Sequence, residues 1–253
     1  SMSGRMLGVH SDITPQIARI DSKRSIADKG NRYCYINSIL QTKADDFYAS
    51  RSPIQAGAEL YGYKGIEGDI EVIELMAASL SLIGVEDITL SFGNTAIFNA
   101  ICESAELNNQ DIASLRDIFR RKSIPDLTDF FDSKEINHAD KFHSLISLDG
   151  DERILDRATN IFKEFPTVID AIKDLKKLHS FFKDSNLSLM FDLGEVKPSE
   201  YHNGLVFAAY HLNFSKALAQ GGRYNSLSES FGSSRDATGF SFDLKFLIQQ
   251  QLN

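Results

Sequence analysis

Basic charge is scarce in this sequence: 27 Lys and Arg stand against 35 Asp and Glu, a formal net charge of −8. A broad nucleic-acid-binding face needs clustered cations to neutralise phosphate, so the balance argues against one. The only strongly basic run, Arg116, Arg120, Arg121 and Lys122, falls at helical spacing and reads as a solvated face. Cysteine is scarce too. Cys34 and Cys102 lie far apart, with neither metal-ligand spacing nor a disulfide framework, and a reducing cytoplasm suits them best. No apolar stretch approaches the roughly 20 residues that a membrane-spanning helix needs, and the start carries no signal-peptide pattern. Low-complexity tracts and internal repeats are missing. With 42% hydrophobic and 25% charged residues, the composition is that of a globular chain long enough to bury a sizeable interior.

The short catalytic signatures are absent as well: no Walker loop, no Gly-x-Ser-x-Gly elbow and no His-Glu-x-x-His. The six histidines lack metal spacing. His138 and His143 read as surface residues, and His179 as the edge of an amphipathic helix. Asp149-Gly-Asp-Glu has too few further ligands for a calcium loop and reads as a helix-start turn. No metal, cofactor or catalytic residue is therefore expected.

What is present is a frame of short strands. Residues 31–43 and 53–64 read as strands joined by an acidic, aromatic loop, and further strands are expected at 87–92, 187–192, 204–212, 215–220 and 237–243. Residues 67–84 have Ile70, Ile73, Ala77, Leu80 and Ile83 at helical spacing, acids early in the run, and Gly84 to end it. From about 95 to 184 the chain turns mostly helical, with Ile169, Ile172, Leu175, Leu178 and Phe182 on one stripe of the last helix. This predicts an α+β fold with a mostly antiparallel sheet, since the short turns between strands cannot house parallel crossovers. Three parts are expected: a core beginning in 1–93, a mainly helical insertion over 94–184, and the rest of the core in 185–253.

In the second strand, period-two alternation puts Gln55, Gly57, Glu59 and Tyr61 on one face. A Gln and a Glu flanking a glycine predict a gap with polar walls where a small ligand could lie; an ordinary solvated face is the competing account. Other polar groups stand at strand ends: Asp12 and Thr14 in "SDITPQIAR", Tyr201 and His202, and Arg223 with Tyr224 in "GGRYN". Such groups are costly to bury without partners, and together they favour a ligand.

Five ordered stretches, "GRMLGVHSDITPQIARID", "PIQAGAELYG", "YHNGLVFAAY", "ALAQGGRYN" and "ATGFSFDL", resemble histidyl-tRNA synthetase, a class II synthetase, and more closely its catalytically silent relatives, the regulatory subunits of ATP phosphoribosyltransferase. The resemblance implies a class II aminoacyl-tRNA synthetase-like antiparallel sheet flanked by helices, with a helical insertion. It implies a histidine pocket built from Asp12, Thr14, Gln55, Glu59, Tyr201, His202, Arg223 and Tyr224. In that pocket Asp12, Thr14 and Gln55 suit the α-ammonium, and Glu59 with either His202 or Tyr224 suits the two ring nitrogens. Where the synthetase carries ATP-handling arginines, this sequence has Gln41 and Lys43 in "LQTK" and Phe246 after "GFSFDLK"; at its histidine-signature arginine stands Lys197. Gln has no charge, Phe neither charge nor donor, and Lys only a point charge, so adenylation is expected to fail.

The implied partners are a short-form catalytic ATP phosphoribosyltransferase, histidine as effector, and further copies of the protein. Family members carry a segment with the first class II motif, which the 253 residues do not contain, and the opening Ser-Met reads as an expression scar. The chain is accordingly expected to be a piece of a longer protein. An active synthetase core and a free-standing amino-acid sensor are the alternative expectations.

Overall fold

In the computed structural model, residues 4, 6, 8–24, 30–42, 50–196, 203–214, 216–225, 227, 229–232 and 234–251 are described. Their elements run in chain order as α1 (Thr14–Arg24), β1 (Asn31–Ser38), β2 (Ile54–Tyr61), α2 (Ile66–Leu82), β3 (Thr89–Asn94), α3 (Thr95–Ser104), α4 (Asn109–Arg120), α5 (Ile124–Asp132) and α6 (Ala139–Leu145). After these come β4 (Asp149–Gly150), α7 (Arg153–Ile161), α8 (Pro166–Phe182), β5 (Ser188–Asp192), β6 (Leu205–Tyr210), β7 (Ala219–Arg223), a 3-10 turn at Glu229–Phe231, β8 (Ala237–Asp243) and α9 (Leu244–Gln251). Two compact units share them: residues 1–86, 218–221 and 225–253 form the first, 87–217 and 222–224 the second.

In the first unit β2 runs antiparallel to both its neighbours. Asn31 faces Tyr61 and Ser38 faces Ile54 across β1, while Gln55 faces Asp243 and Tyr61 faces Ala237 across β8. Helices α2 and α9 pack on β2, α2 also covers β8, and α1 lies against β2 and the 3-10 turn. The burial of α2 differs from the expected stripe: Val72, Ile73, Met76 and Leu80 are buried together with Asp69, whereas Ile70, Ala77 and Ile83 are only half-buried. The helix ends as its glycine predicts. Gly84 takes φ +85°, and the Val85 N–H donates to Leu80 O at 3.0 Å and the Gly84 N–H to Ser81 O at 2.9 Å, a closure that needs a left-handed residue.

In the second unit β3 lies between β6 and β5, and β4 flanks β5. Strands β3 and β6 are antiparallel, but β3 and β5 are parallel, with Thr89 opposite Ser188 and Phe92 opposite Phe191. The helices α3–α8 are the crossover that this parallel pair requires, so the long helical stretch adds a parallel step beside the antiparallel β3–β6 and β4–β5 pairs. Three of these helices, α3, α4 and α5, start where an N-cap side chain satisfies their first amides. Asn94 accepts from Ala96 N, Asn108 from Gln110 N and Asp111 N, and Ser123 from Asp126 N. Asp151 Oδ1 accepts from Arg153 N at 3.1 Å at the start of α7, the turn expected of the "DGDE" stretch. The core is aromatic, with Phe98 edge-on to Phe119 at 5.0 Å and to Phe142 at 6.1 Å. On α8, Ile172, Leu175, Leu178 and Phe182 are buried as expected, and Ile169 is half-buried.

Several boundaries differ from the sequence reading. Strand β1 stops at Ser38 rather than 43, and β2 stops at Tyr61, where Gly62 takes φ +87°. Strand β3 begins at Thr89 because Asp87, at φ +52°, is left-handed and cannot continue a strand. The strand expected at 215–220 is displaced to Ala219–Arg223 by a turn in which Phe214 N donates to His211 O at 3.0 Å; the two glycines of "GGRY" lie within the strand. Of the basic run, Arg120, Arg121 and Lys122 are exposed as expected, with Arg120 and Arg121 both on Asp117 and Arg121 also on Asp126, whereas Arg116 is half-buried and donates to Asn99 Oδ1 at 3.1 Å.

Candidate functional site

The polar face of β2 is covered rather than solvated. Glu59 is 3% exposed and Tyr61 fully buried, and the loop leading into α1 closes over Gln55 and Glu59. Gln55 spans this loop with both ends of its amide: Nε2 donates to Asp12 Oδ1 at 2.9 Å, and Oε1 accepts from the Ile13 N–H at 2.9 Å. The Thr14 N–H donates to the same Asp12 Oδ1 at 3.2 Å and so starts the helix. The Thr14 hydroxyl donates to Glu59 Oε1 at 2.9 Å. The other carboxylate oxygen, Oε2, lies over Gly239 in β8, where an added β-carbon would come within 1.6 Å of it. Four predicted site residues, Asp12, Thr14, Gln55 and Glu59, thus meet in the first unit.

A fifth residue belongs with them that the sequence reading missed. Tyr35 donates to Glu59 Oε1 at 3.2 Å and stands 3.4 Å from Thr14 Oγ1. Burial, followed by the nearby Glu59 charge, raises the Tyr35 phenol above its ordinary range, so it remains a donor. Tyr35 also corrects the expected void. Across the ladder it faces Gly57, and its ring fills the space that the missing side chain leaves. A glycine on one strand opposite an aromatic on the next was the available signal.

The remaining predicted residues are placed differently. Arg223 and Tyr224 belong to the second unit, where the Arg223 carbonyl accepts from Asn203 N at 3.3 Å and Tyr224 is 2% exposed. Tyr201 and His202 lie outside the described residues, as do Lys43 and Lys197. Gln41 is backbone-paired to Arg51, with N to O at 2.9 Å, and Phe246 sits half-buried in α9. Among the described residues no group of His, Cys, Asp and Glu could hold a metal ion.

Chemically, the cluster is two carboxylates held by neutral partners, the Thr14 and Tyr35 hydroxyls and the Gln55 amide. A carboxylate pair beside hydroxyl and amide groups suits a cationic or N–H-donating ligand.

A strand frame backed by helices and carrying this cluster has the fold of class II aminoacyl-tRNA synthetases. The family model for histidyl-tRNA synthetase matches residues 1–247. The ATP phosphoribosyltransferase regulatory subunit of Methylococcus capsulatus is 38% identical over 252 residues, covering 98% of this chain and 62% of that protein. The regulatory subunit of Thiobacillus denitrificans is 38% identical over 247 residues, covering 98% and 76%. Among solved structures, an ATP phosphoribosyltransferase regulatory subunit/histidyl-tRNA synthetase from Bacillus halodurans shares the fold, with a TM-score of 0.87 at 24% identity, covering 100% of this chain and 67% of that one. The ATP phosphoribosyl transferase (HisG:HisZ) complex from Thermotoga maritima contains a similar chain, with a TM-score of 0.73 at 19% identity over 96% and 83%. The chain belongs to the histidyl-tRNA synthetase family and, within it, to the ATP phosphoribosyltransferase regulatory subunits. It spans 62–64% of the length of the Methylococcus and Thioalkalivibrio relatives.

Proposed function

We propose that this chain is the synthetase-like part of a non-catalytic regulatory subunit that activates a short catalytic ATP phosphoribosyltransferase and relays feedback inhibition by histidine. The observation that carries the reading is the convergence of Thr14 and Tyr35 on Glu59 beside the Asp12–Gln55 pair, a site for a ligand with an ammonium and ring N–H groups. Asp12, Thr14 and Gln55 receive the α-ammonium, and Glu59 receives a ring nitrogen. The names of the relatives supply the partner; a cytoplasmic setting and self-association belong to the same reading, and the net charge of −8 opposes a nucleic-acid partner. Gln41 and Phe246, in place of ATP-handling arginines, oppose the alternative of an active synthetase.

Regulation requires histidine to bind two assembly states unequally; a coupling of roughly 1–3 kcal/mol gives about 5- to 150-fold control. The test is to mix the full-length protein with a short catalytic ATP phosphoribosyltransferase and follow phosphoribosyl-ATP formation. The subunit should raise turnover and histidine should lower it again. Turnover indifferent to the subunit would overturn the reading, and binding of histidine without effect on turnover would leave a free-standing sensor.

A further inference from the structure

The helix that brings Thr14 to Glu59 is thinly anchored by apolar groups: its buried residues are Thr14, Ile17, Ala18 and Asp21. Of these, Asp21 is the unusual one, a carboxylate 1% exposed near the far end of α1. It collects donors from two separate parts of the first unit. Arg235 Nη1, from the segment entering β8, donates to Oδ2 at 2.8 Å and reaches Oδ1 at 3.1 Å. From β1, Asn31 Nδ2 donates to Oδ1 at 2.7 Å and the Tyr33 hydroxyl to the same atom at 3.0 Å. Thr14 and Asp21 are two helical turns, about 10 Å, apart on one face of a stiff element.

We propose that Asp21 and Arg235 are positioning residues, a polar clamp that fixes α1 so that Asp12 and Thr14 meet the ligand held at Gln55 and Glu59. With Ile17 and Ala18 alone between the two ends, a helix released at Asp21 can roll or slide. A displacement of about 1 Å is enough to break hydrogen bonds of the kind that Ile13 and Thr14 make to Gln55 and Glu59. The clamp also ties the ligand groups to the segment entering β8, so a change in that segment reaches the site through α1. This inference rests on the reading of the site as an amino-acid pocket.

Two measurements on the 253-residue chain test it: histidine affinity by calorimetry, and amide hydrogen exchange of residues 15–24 without ligand. Arg235→Gln leaves Asp21 its Asn31 and Tyr33 partners and keeps the fold, Tyr33→Phe is the milder second variant, and Arg235→Lys is the conservative control. Arg235→Gln should speed exchange in α1 by about tenfold, leave β1 and β2 unchanged, and weaken histidine binding by about tenfold, with Tyr33→Phe moving both in the same direction by less and Arg235→Lys closer to the unaltered chain. A lowered melting temperature with α1 exchange and histidine affinity both unchanged would make the pair merely structural and overturn the proposal. Loosened α1 with undiminished affinity would overturn it equally. Failure of the unaltered chain to bind histidine would instead sink the pocket reading, and unchanged α1 protection in Arg235→Gln would then still overturn the clamp.

Discussion

Tyr35 stands across the β1–β2 ladder from Gly57, with its ring over the glycine and its hydroxyl on Glu59 Oε1 at 3.2 Å. A β-carbon at position 57 would lie 2.3 Å from Phe240 O and 2.7 Å from the Tyr35 hydroxyl, so glycine, tyrosine and carboxylate form one packed unit. Shape and charge at the proposed site are therefore set together.

This unit makes stability separable from shape. Tyr35→Phe keeps the ring over Gly57 and removes one donor from a buried carboxylate, a loss of about 1–2 kcal/mol. Gly57→Ala costs more, because the atom 2.3 Å away belongs to the backbone of β8 and a strand has to move. Urea titrations of both variants should rank them in that order, and an alanine variant as stable as the unaltered chain would contradict the packing.

Glu59→Ala addresses the ligand. A ring N–H that loses a buried carboxylate acceptor gives up about 1–3 kcal/mol, so histidine affinity should fall by about 5- to 150-fold. The Glu59→Gln variant keeps the volume and one acceptor and should fall between. Calorimetry with histidine measures both, and undiminished affinity in Glu59→Ala would remove that residue from the site.

Much of this was legible in the sequence, and the misses share causes. Asp12, Thr14, Gln55 and Glu59 could be read because family motifs and period-two alternation mark them, and the structure joins all four. Tyr35 was hidden because its role depends on which residue it faces in the next strand, and register is not local information. The clamp at Asp21 was hidden for the same reason: Arg235 is more than 200 positions away, at a sequence separation of 214. The parallel β3–β5 pair was concealed because its strands lie on either side of a long helical stretch, while only the short turns were weighed. The α2 stripe was offset because Asp69 sits on the buried side, where an apolar template does not look.

Thiol chemistry offers a check on the two units separately. Cys34 is exposed on β1, whereas Cys102 is 2% exposed in α3 and burial pushes its thiol up to about 12. At pH 8 the folded protein should therefore titrate one cysteine with a chromogenic disulfide and two after denaturation, since only thiolate reacts. Two fast equivalents from the folded chain would mean that α3 is not packed as described.

Asp192 carries a pH dependence with an unusual sign. At the end of β5, burial raises its carboxyl above the ordinary 3.8, Lys122 at 2.7 Å pulls it back, and Glu195 and Asp149 add repulsion. A raised folded value means that the folded state holds the proton more firmly than the unfolded one. This residue's contribution to stability is therefore gained as pH falls through the raised value towards 3.8, and is missing at neutral pH. Asp192→Asn removes the titration while keeping an acceptor for Gly194 N, now at 3.1 Å, and Lys122 retains Asp149 at 3.9 Å. The variant should match or exceed the unaltered chain at pH 7 and lose that advantage as pH falls from neutral through the raised value towards 3.8. Urea titrations across that range decide it: a variant clearly weaker at pH 7 would show that the Lys122 ion pair outweighs the cost of burying the charge.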